Sequence, residues 1–387
     1  MRHVIVAVVA TTALGLLGAC ADDPAPETNG NPPDSSQTAT ASSSPEESTP
    51  AEDEGEDSRR AGPPPAPRIA GTVATGLTSP WGLAFLPDGA ALVAERDTAG
   101  IKRIARGGAV STVGTVPGVV PGGEGGLLGI AVSPTFERDR FVYAYYTAGD
   151  ENRIVRMPYT GSRLGRPQTV LDGIPGSGIH NGGRMVFGPD GFLYVGTGEA
   201  SDEPLAQDLD SLGGKILRIT PDGDPAPGNP FDSPVWSYGH RNVQGLAFDD
   251  DGRLWASEFG QSTWDELNLI RPGRNYGWPE VEGVAGERGF VDPVAQWPTD
   301  EASPSGLAYV DGALWMAGLR GERLWRIQID EGRVIGKPRA FFTEDLGRLR
   351  TVAPAPGGGL WLTTSNTDGR GDPRDGDDRI LRLSLDR

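Results

Sequence analysis

The chain has 387 residues, of which 37% are hydrophobic and 23% are charged, and its net charge at pH 7 is −18. This composition suffices for a large folded domain, and the acidity argues against nucleic acid as a partner. The single cysteine excludes an intramolecular disulfide, so the fold must be stabilised by its own core.

The first twenty residues predict a sorting signal rather than a part of the fold. Arg2 gives the positive start, residues 4–17 form an apolar stretch too short to span a bilayer, and small residues precede Cys20. The sequence Leu-Gly-Ala-Cys at 17–20 resembles the lipobox of bacterial lipoproteins, whose cysteine becomes the acylated N-terminus. We predict lipidation of Cys20 and an extracytoplasmic protein that meets the membrane only through this lipid anchor. The alternative is an ordinary secretory signal with an incidental cysteine.

Residues 21–66 predict a disordered tether. Their Pro, Ser, Thr, Asp and Glu content leaves almost nothing apolar to bury. Between residues 21 and 60, eleven acidic residues stand against two arginines, which gives a net charge of −9. We interpret the segment as a spacer that holds a folded domain, residues 67–387, away from the membrane.

A strand–turn–strand phrase recurs six times in the folded part. Each copy has an alternating apolar strand, a turn usually closed by Asp-Gly, and a second strand rich in Leu, Trp and Val. The spacing of about 45 to 60 residues is typical of propeller blades. The sequence therefore predicts an all-β, six-bladed β-propeller, whose radial packing leaves only short strand edges. The copies begin near Trp81, Gly126, Gly183, Val243, Pro304 and Leu349.

Closure of the ring is the next expectation. The last blade shows only three clear strands before the chain stops, whereas residues 68–77 alternate like a strand and precede the first blade. We predict that this N-terminal segment supplies the outer strand of the last blade and so joins the two ends.

Two histidines occur in the folded part. His180 lies in a polar, Gly-flanked loop just before an innermost strand, where a loop opens onto the axial face. The residues alone leave its catalytic and structural roles equally open. His240 is flanked by apolar strand residues, and we predict a hydrogen-bonded packing role for it.

Arginines recur at equivalent loop–strand junctions. Arg241, Arg320, Arg348 and Arg350 precede or enter repeat strands, and innermost strands of a propeller converge on one axis. Several guanidiniums on one axial face would form an anion site suited to carboxylates. The alternative, for each arginine by itself, is a solvated residue at the rim.

These segments resemble the soluble glucose and aldose sugar dehydrogenases that depend on pyrroloquinoline quinone (PQQ), the glucose/sorbosone dehydrogenase family. The resemblance covers essentially the whole folded part, and five ordered matches fall in five different blades. The most specific stretches are 123–129 (Gly-Glu-Gly-Gly-Leu-Leu-Gly), 180–199, 239–248 (starting Gly-His-Arg-Asn), 257–270 with 275–279, and 347–350 (Gly-Arg-Leu-Arg).

The resemblance implies a role for each matching residue. His180 would be the general base that takes the proton of the sugar's anomeric hydroxyl, and Glu199 the carboxylate that orients it. Arg241 and Asn242 would flank the reactive carbonyl, where a cation stabilises the developing oxyanion. The implied cofactor contacts, in full, are Glu124 (an amide in the glucose enzymes), His180, Arg241, Asn242, Arg320 (a lysine in the glucose enzymes), Arg348 and Arg350.

A calcium ion is also implied, since in those enzymes it bridges cofactor and protein and polarises the quinone carbonyl. Backbone carbonyls at Gly260 and Gln261 match its ligands. A downstream Asp ligand matches Gly286, and the adjacent Glu287 is the candidate that replaces it. The product would be a lactone, and an external electron acceptor, a quinone or a redox protein, would reoxidise the cofactor.

Two rival interpretations stay open on the sequence. A calcium-dependent propeller lactonase would also place a metal on the axis, but it has no use for converging arginines. A non-catalytic cell-envelope binding propeller would keep the fold without the chemistry. If the aldose oxidation holds, loops 201–209 and 281–296 and the tryptophans Trp264, Trp278 and Trp297 are candidates for contacts to the sugar.

Overall fold

The structure, a computed structural model, describes residues 66–385. The predicted signal sequence, the lipidation site Cys20 and the tether up to residue 65 lie outside the described residues. Regular structure is almost entirely β, with one short α-helix, α1 (Phe136–Asp139), and one turn of 3-10 helix, Glu203–Ala206. No helix within the described range has the length and apolar character needed to cross a bilayer.

Six antiparallel sheets are arranged as blades, and in blades one to four the strands follow one another in chain order from the axis outward. The N-terminal strand is β1 (Arg68–Ala74). Blade one contains β2 (Pro80–Phe85), β3 (Ala91–Glu95), β4 (Gly100–Ile104) and β5 (Val110–Thr115). Blade two contains β6 (Leu127–Val132), β7 (Phe141–Thr147), β8 (Glu151–Pro158) and β9 (Gln168–Pro175). Blade three contains β10 (Met185–Phe187), β11 (Leu193–Gly196), β12 (Lys215–Ile219) and β13 (Val235–Tyr238).

The second half of the chain repeats the arrangement. Blade four contains β14 (Val243–Phe248), β15 (Leu254–Glu258), β16 (Trp264–Ile270) and β17 (Ala295–Pro298). Blade five contains β18 (Pro304–Val310), β19 (Ala313–Gly318), β20 (Leu324–Asp330), β21 (Arg333–Val334) and β22 (Arg339–Phe341), the last two both pairing with β20. Blade six contains β23 (Leu349–Pro354), β24 (Leu360–Thr364) and β25 (Ile380–Ser384).

The innermost strands contact one another in a closed ring. β2 packs on β6, β6 on β10, β10 on β14, β14 on β18, β18 on β23, and β23 on β2. The predicted Asp-Gly hairpin turns are present, and their glycines take the left-handed conformation that such turns require: φ is 77° at Gly89, 80° at Gly191 and 75° at Gly252. The predicted six-bladed β-propeller is confirmed.

The predicted ring closure is confirmed as well. Strand β1 pairs antiparallel with β25, from Arg68 opposite Ser384 to Ala74 opposite Ile380, and so becomes the outer strand of blade six. Beyond the strand, Leu77 and Asp378 exchange two backbone hydrogen bonds of 3.0 Å. The two ends of the folded part are therefore held together by backbone pairing rather than by a covalent link.

An aromatic contact recurs between neighbouring blades. The last residue of an innermost strand packs its ring edge-on against a second-strand ring of the preceding blade. The ring centroids are 4.9 Å apart for Phe85 and Trp361, 5.2 Å for Phe187 and Tyr143, and 5.1 Å for Phe248 and Tyr194. The aromatic that ends the repeated apolar strand is thus an inter-blade packing residue.

Candidate active site

A cavity of about 260 Å³ lies where loops from five blades meet. In an antiparallel blade the start of the innermost strand and the end of the second strand share one edge, so these loops open on the same axial face. The side chains that line it include Glu124 (before β6), His180 (before β10), Arg241 (before β14), Arg320 (after β19) and Arg348 (before β23). Arg350 lies in a small adjoining cavity of about 20 Å³. The structure thus brings Glu124, His180, Arg241, Arg320 and Arg348 to one cavity with Arg350 next to it, and their roles stay predictions.

The imidazole of His180 is held from both sides. Its Nδ1 lies 2.7 Å and 3.0 Å from the two carboxylate oxygens of Glu199, and its Nε2 lies 3.0 Å from Nη2 of Arg241. A carboxylate only accepts and a guanidinium only donates, so Nδ1 carries the proton and Nε2 carries the lone pair. Glu199 is 1% exposed and also accepts the backbone N–H of Ser201 at 2.7 Å. The pair therefore presents a basic nitrogen with one fixed tautomer.

Arg241 is directed by the loop that follows the second strand of its own blade. Its Nη1 donates to the carbonyl oxygen of Gly260 at 2.7 Å, and its backbone N–H donates to Glu258 at 2.9 Å. Burial lowers the pKa of Arg241, although nearby carboxylates oppose this. Asn242 is fully buried and does not line the cavity; its Oδ1 accepts the N–H of Gly182 at 3.0 Å. Asn242 thereby braces the loop that carries His180.

Arg348 and Arg350 share one buried carboxylate. Oδ2 of Asp368 lies 3.1 Å from Arg348 Nη2 and 3.3 Å from Arg350 Nη2, and Arg350 Nη1 also donates to Gln244 at 2.9 Å. Burial opposes ionisation of Asp368, but Arg350 and Arg348 outweigh it and lower its pKa. Burial lowers the pKa of Arg350 to about 10, so the side chain is still cationic at neutral pH. Two guanidiniums against one carboxylate leave the cluster with a net positive charge.

A third buried guanidinium lies behind this pair. Arg184 stacks on Trp81 with its Cζ 4.3 Å from the ring centroid, and its Nε donates to the carbonyl oxygen of Gln244 at 2.7 Å. Burial lowers the pKa of Arg184 to about 9, with a contribution from Arg350. The buried positive charge of these three arginines therefore comes from two blades, three and six.

The loop after β15 carries the two sequence-predicted backbone ligands. Gly260 and Gln261 both line the cavity, and the loop is fixed by Glu282, whose Oε1 accepts the Gln261 N–H at 2.6 Å. Asp265 also lines the cavity, and burial raises its pKa to about 7. Glu287 lies in an exposed loop and does not line the cavity. Within residues 66–385 no group of three or more His, Cys, Asp or Glu side chains is arranged to hold a metal ion.

His240 has the packing role that was predicted. It is fully buried, its Nδ1 lies 2.8 Å from Glu258 and its Nε2 lies 2.8 Å from Ser237. Its ring stacks on Tyr276 at 4.7 Å between centroids.

None of the three candidate tryptophans lines the described cavity. Trp297 belongs to a buried core cluster, Trp278 is 8% exposed beside Arg241, and Trp264 is half-buried. Sugar stacking on any of them stays a prediction.

A larger cavity of about 570 Å³ lies elsewhere, beside β1. Its lining includes Arg106, Arg382 and Trp361 and contains no histidine, aspartate or glutamate. It offers no acid–base chemistry, so the 260 Å³ cavity is the candidate active site.

Comparison with known proteins identifies the family. A family model described as glucose/sorbosone dehydrogenase matches residues 77–381. The chain belongs to the glucose/sorbosone dehydrogenase family. It is 30% identical to the aldose sugar dehydrogenase of Escherichia coli, over 76% of this chain and 89% of that protein. It is 34% identical to quinoprotein glucose dehydrogenase B of Acinetobacter calcoaceticus, over 57% and 54%.

A solved structure gives the same result in three dimensions. The PQQ-bound aldose sugar dehydrogenase of Streptomyces coelicolor shares 63% identity and a TM-score of 0.81, covering 83% of this chain and 99% of that one. The protein is therefore an oxidoreductase of the glucose and aldose dehydrogenase type.

Several site residues of this family member were missed by the sequence analysis. Asp368 and Arg370 lie in the long loop between β24 and β25, which carries no repeat phrase. Arg184 stands four residues after His180, inside a stretch already singled out, but nothing in the sequence distinguished a buried arginine from an exposed one. Gln244 and Asp265 lie in strands and were counted with the fold. A cluster of Asp and Arg in the one loop outside the repeat was the available signal.

Proposed function

We propose that the protein oxidises the anomeric carbon of an aldose to a lactone with PQQ as its cofactor. One observation carries the proposal: a histidine with a fixed tautomer and a set of guanidiniums from separate blades face the same cavity. A lactonase would use several oxygen ligands around one metal and would have no use for the arginines that converge on this cavity. The solved relative from Streptomyces coelicolor binds PQQ and supports the same conclusion.

The residues fit a planar quinone with carboxylate groups. Nε of Arg241, Nε of Arg350 and Nδ2 of Asn242 are buried donors without a hydrogen-bond partner among the described residues. Unpaired buried donors are costly unless a ligand supplies the acceptors. Arg348 and Arg350 would hold carboxylates, as would Arg320 from the more exposed side of the cavity. Arg241 would face the reactive carbonyl, whereas Asn242 is fully buried, does not line the cavity and braces the loop that carries His180.

His180 and Arg241 perform the chemistry that the chain itself supplies. When bound, PQQ supplies an electron-poor quinone that accepts the hydride from C1 of the sugar. His180 Nε2 takes the proton of the anomeric hydroxyl, so that C1 and its oxygen form the carbonyl of the lactone. Glu199 stabilises the imidazolium that results. The cation of Arg241 stabilises negative charge that develops beside it. An external acceptor removes the two electrons afterwards.

Calcium is proposed at the loop after β15. The carbonyl oxygens of Phe259 and Gly260 converge on Nη1 of Arg241, at 3.4 Å and 2.7 Å, so this loop already directs oxygens toward a cation. The carbonyls of Gly260 and Gln261 would be the protein ligands, since calcium prefers oxygen donors of this kind. Glu287 would have to move from its exposed loop to take part.

Reconstitution of the purified apo-protein tests the proposal. PQQ and calcium are added, and aldoses are assayed with an artificial dye acceptor. We expect PQQ-dependent dye reduction, its abolition in His180→Ala, and retained PQQ binding in that variant. Arg153→Ala, which removes a surface ion pair with Glu151 on β8, is the control for substitution as such. Wild-type activity in His180→Ala would remove the assigned base, lactone hydrolysis without PQQ would indicate the lactonase, and neither activity would indicate a binding propeller.

The location of the enzyme is also a proposal. The lipobox-like sequence at 17–20 supports a lipid anchor on Cys20, outside the cytoplasm. We expect palmitate labelling of the full chain in a bacterial host and its loss in Cys20→Ser. Labelling that persists in Cys20→Ser would refute the anchor.

A further inference from the structure

Glu124 connects two distant parts of the site. Its Oε2 accepts the backbone N–H of His180 at 3.1 Å, and its Oε1 accepts from Nη1 of Arg370 at 2.7 Å. Arg370 comes from blade six, whereas Glu124 comes from the loop before blade two. Both oxygens of the carboxylate are thus engaged within the protein itself.

The loop that carries Glu124 packs closely against the loop that carries His180. Gly123 adopts φ of 59°, and a Cβ there would lie 2.1 Å from the carbonyl oxygen of Gly178. The backbone N–H of Glu124 donates to that same oxygen at 2.8 Å. Glu124 therefore makes two hydrogen bonds to residues 178–180, one through its backbone N–H and one through its side chain.

These hydrogen bonds matter for His180 because its backbone is in a strained conformation. Its φ is 58°, in the left-handed region that costs a non-glycine residue about 1–2 kcal/mol. This conformation persists only where the surroundings fix it. The fixing contacts are the Glu124 carboxylate on the His180 N–H and the N–H of Ala200 on the His180 carbonyl oxygen at 3.1 Å.

Charge supports the same arrangement. Burial opposes ionisation of Glu124, but the His180 N–H and Arg370 outweigh it and lower the pKa of Glu124. The Arg370 side chain is 54% exposed, while that of Glu124 is 16% exposed. Arg370 in turn is anchored by its own N–H, which donates to Oδ1 of Asp368 at 3.0 Å.

We propose that the Glu124–Arg370 ion pair is a positioning pair that holds the backbone of His180 so that Nε2 faces the cavity. This inference rests on the proposed function for its catalytic consequence. Its structural content is independent of any cofactor. It gives Glu124 a task other than the cofactor contact that the family resemblance implied.

Hydrogen exchange on the apo-protein tests the structural part. The chain has three histidines, so selective ¹⁵N-histidine labelling of the full chain gives very few amide signals. The His240 N–H, which donates to the Gly214 carbonyl oxygen at 3.1 Å, is the internal reference. We expect the His180 amide to exchange about tenfold faster in Glu124→Ala and Arg370→Ala, as loss of one hydrogen bond implies.

The double variant Arg370→Ala/Glu124→Gln separates positioning from a loss of charge alone. Glutamine keeps an oxygen for the His180 N–H and needs no cation, so we expect exchange within about threefold of wild type. An unchanged His180 amide in Glu124→Ala would overturn the proposal. Exchange in the double variant as fast as in Arg370→Ala would overturn it too.

Kinetics of the reconstituted enzyme test the catalytic part. We expect kcat to fall about tenfold in Arg370→Ala, with KM nearly unchanged, and to recover in the double variant. PQQ affinity of the apo-proteins is measured in parallel by absorbance titration. If Arg370 instead binds the cofactor, affinity falls equally in the single and double variants, and kcat does not recover; that result refutes positioning. If the wild-type protein shows no PQQ-dependent turnover, the proposed function is refuted. Hydrogen exchange on the apo-protein would still test whether the Glu124–Arg370 pair holds the His180 backbone.

Discussion

Replacement of Asp368 by asparagine removes the only carboxylate that Arg348 and Arg350 contact in the described residues. The side chain of Asp368 is 1% exposed, and its partners are 10% and 6% exposed. Oδ2 faces the guanidiniums, whereas Oδ1 accepts the Arg370 N–H at 3.0 Å. Either orientation of the new amide group sets its NH₂ against a donor. The substitution therefore leaves two buried cations without an anion.

The expected cost is about 3–5 kcal/mol of unfolding free energy, the usual result of removing one partner of a buried ion pair. Its pH dependence follows from the lowered pKa of Asp368. Because the folded state binds this proton less readily than the unfolded chain, the stabilisation is present above the ordinary value of 3.8 and is lost as pH falls through the folded value. The gap between wild type and variant should therefore be full at pH 7 and narrow in acid.

Urea unfolding of both apo-proteins at several pH values measures this gap. A tricarboxylate cofactor should replace part of the missing anion, so PQQ should raise the stability of Asp368→Asn more than that of wild type. A gap below about 1 kcal/mol at pH 7 would refute the reasoning, because it would mean that the guanidiniums are adequately solvated without the carboxylate.

Three further predictions concern closure, burial and metal. Deletion of residues 66–77 removes β1 and Leu77, which is 2% exposed. The melting temperature should therefore fall sharply, since backbone hydrogen bonds and buried apolar surface are lost. An unchanged melting temperature would refute ring closure by β1. Burial, and after it the charge of Glu258, raises the pKa of Glu266, so the stability of the wild-type protein should fall as pH rises from about 5 to 8. Thermal unfolding of Glu266→Gln should show a weaker dependence of stability on pH. Equal pH dependence in the variant and the wild type would contradict this prediction. Chelation of calcium should weaken PQQ-dependent dye reduction, and added calcium should restore it. Wild type and Gln261→Ala should respond alike, because the proposed ligand is the backbone carbonyl of residue 261 and not its side chain. Activity that does not change when a chelator is added would exclude the ion.

The fold could be predicted because its determinants are local. Each repeat contains alternating apolar strands, and most repeats contain an Asp-Gly turn. The last repeat lacks a fourth strand, and residues 68–77 have the alternating pattern that could supply it. Loop–strand junctions in a repeating array fall on the same face, so the gathering of His180 and the arginines followed from the fold. These inferences needed no distances between remote residues.

The remaining site residues depend on distances that a single sequence does not contain. Arg370 meets Glu124 across 246 positions, and Arg184 meets Thr351 across 167. Asp368 and Arg370 also lie in a loop without the repeat phrase, which removed the positional reference that located the others. Glu287 was a candidate ligand only because it adjoins Gly286, the position that matches the Asp ligand of the glucose enzymes. In the structure Glu287 lies in an exposed loop.

Burial decides between two similar histidine–glutamate pairs. His180 with Glu199 and His240 with Glu258 both join a loop before an innermost strand to the end of the following strand. The His180 side chain is 13% exposed at the cavity, whereas that of His240 is fully buried and its Nε2 is used by Ser237. Only the first pair places its Nε2 at a cavity that a substrate can enter, where this nitrogen accepts from Arg241 Nη2 at 3.0 Å.

Equilibrium titration of the apo-protein with PQQ tests the central claim most directly. The gathered guanidiniums predict one bound cofactor per chain, and Arg350→Ala should weaken binding at least about tenfold, since hydrogen bonds to charged groups contribute about 1.5–3 kcal/mol. A wild-type protein that does not bind PQQ, or an Arg350→Ala variant that binds it equally well, would contradict the account.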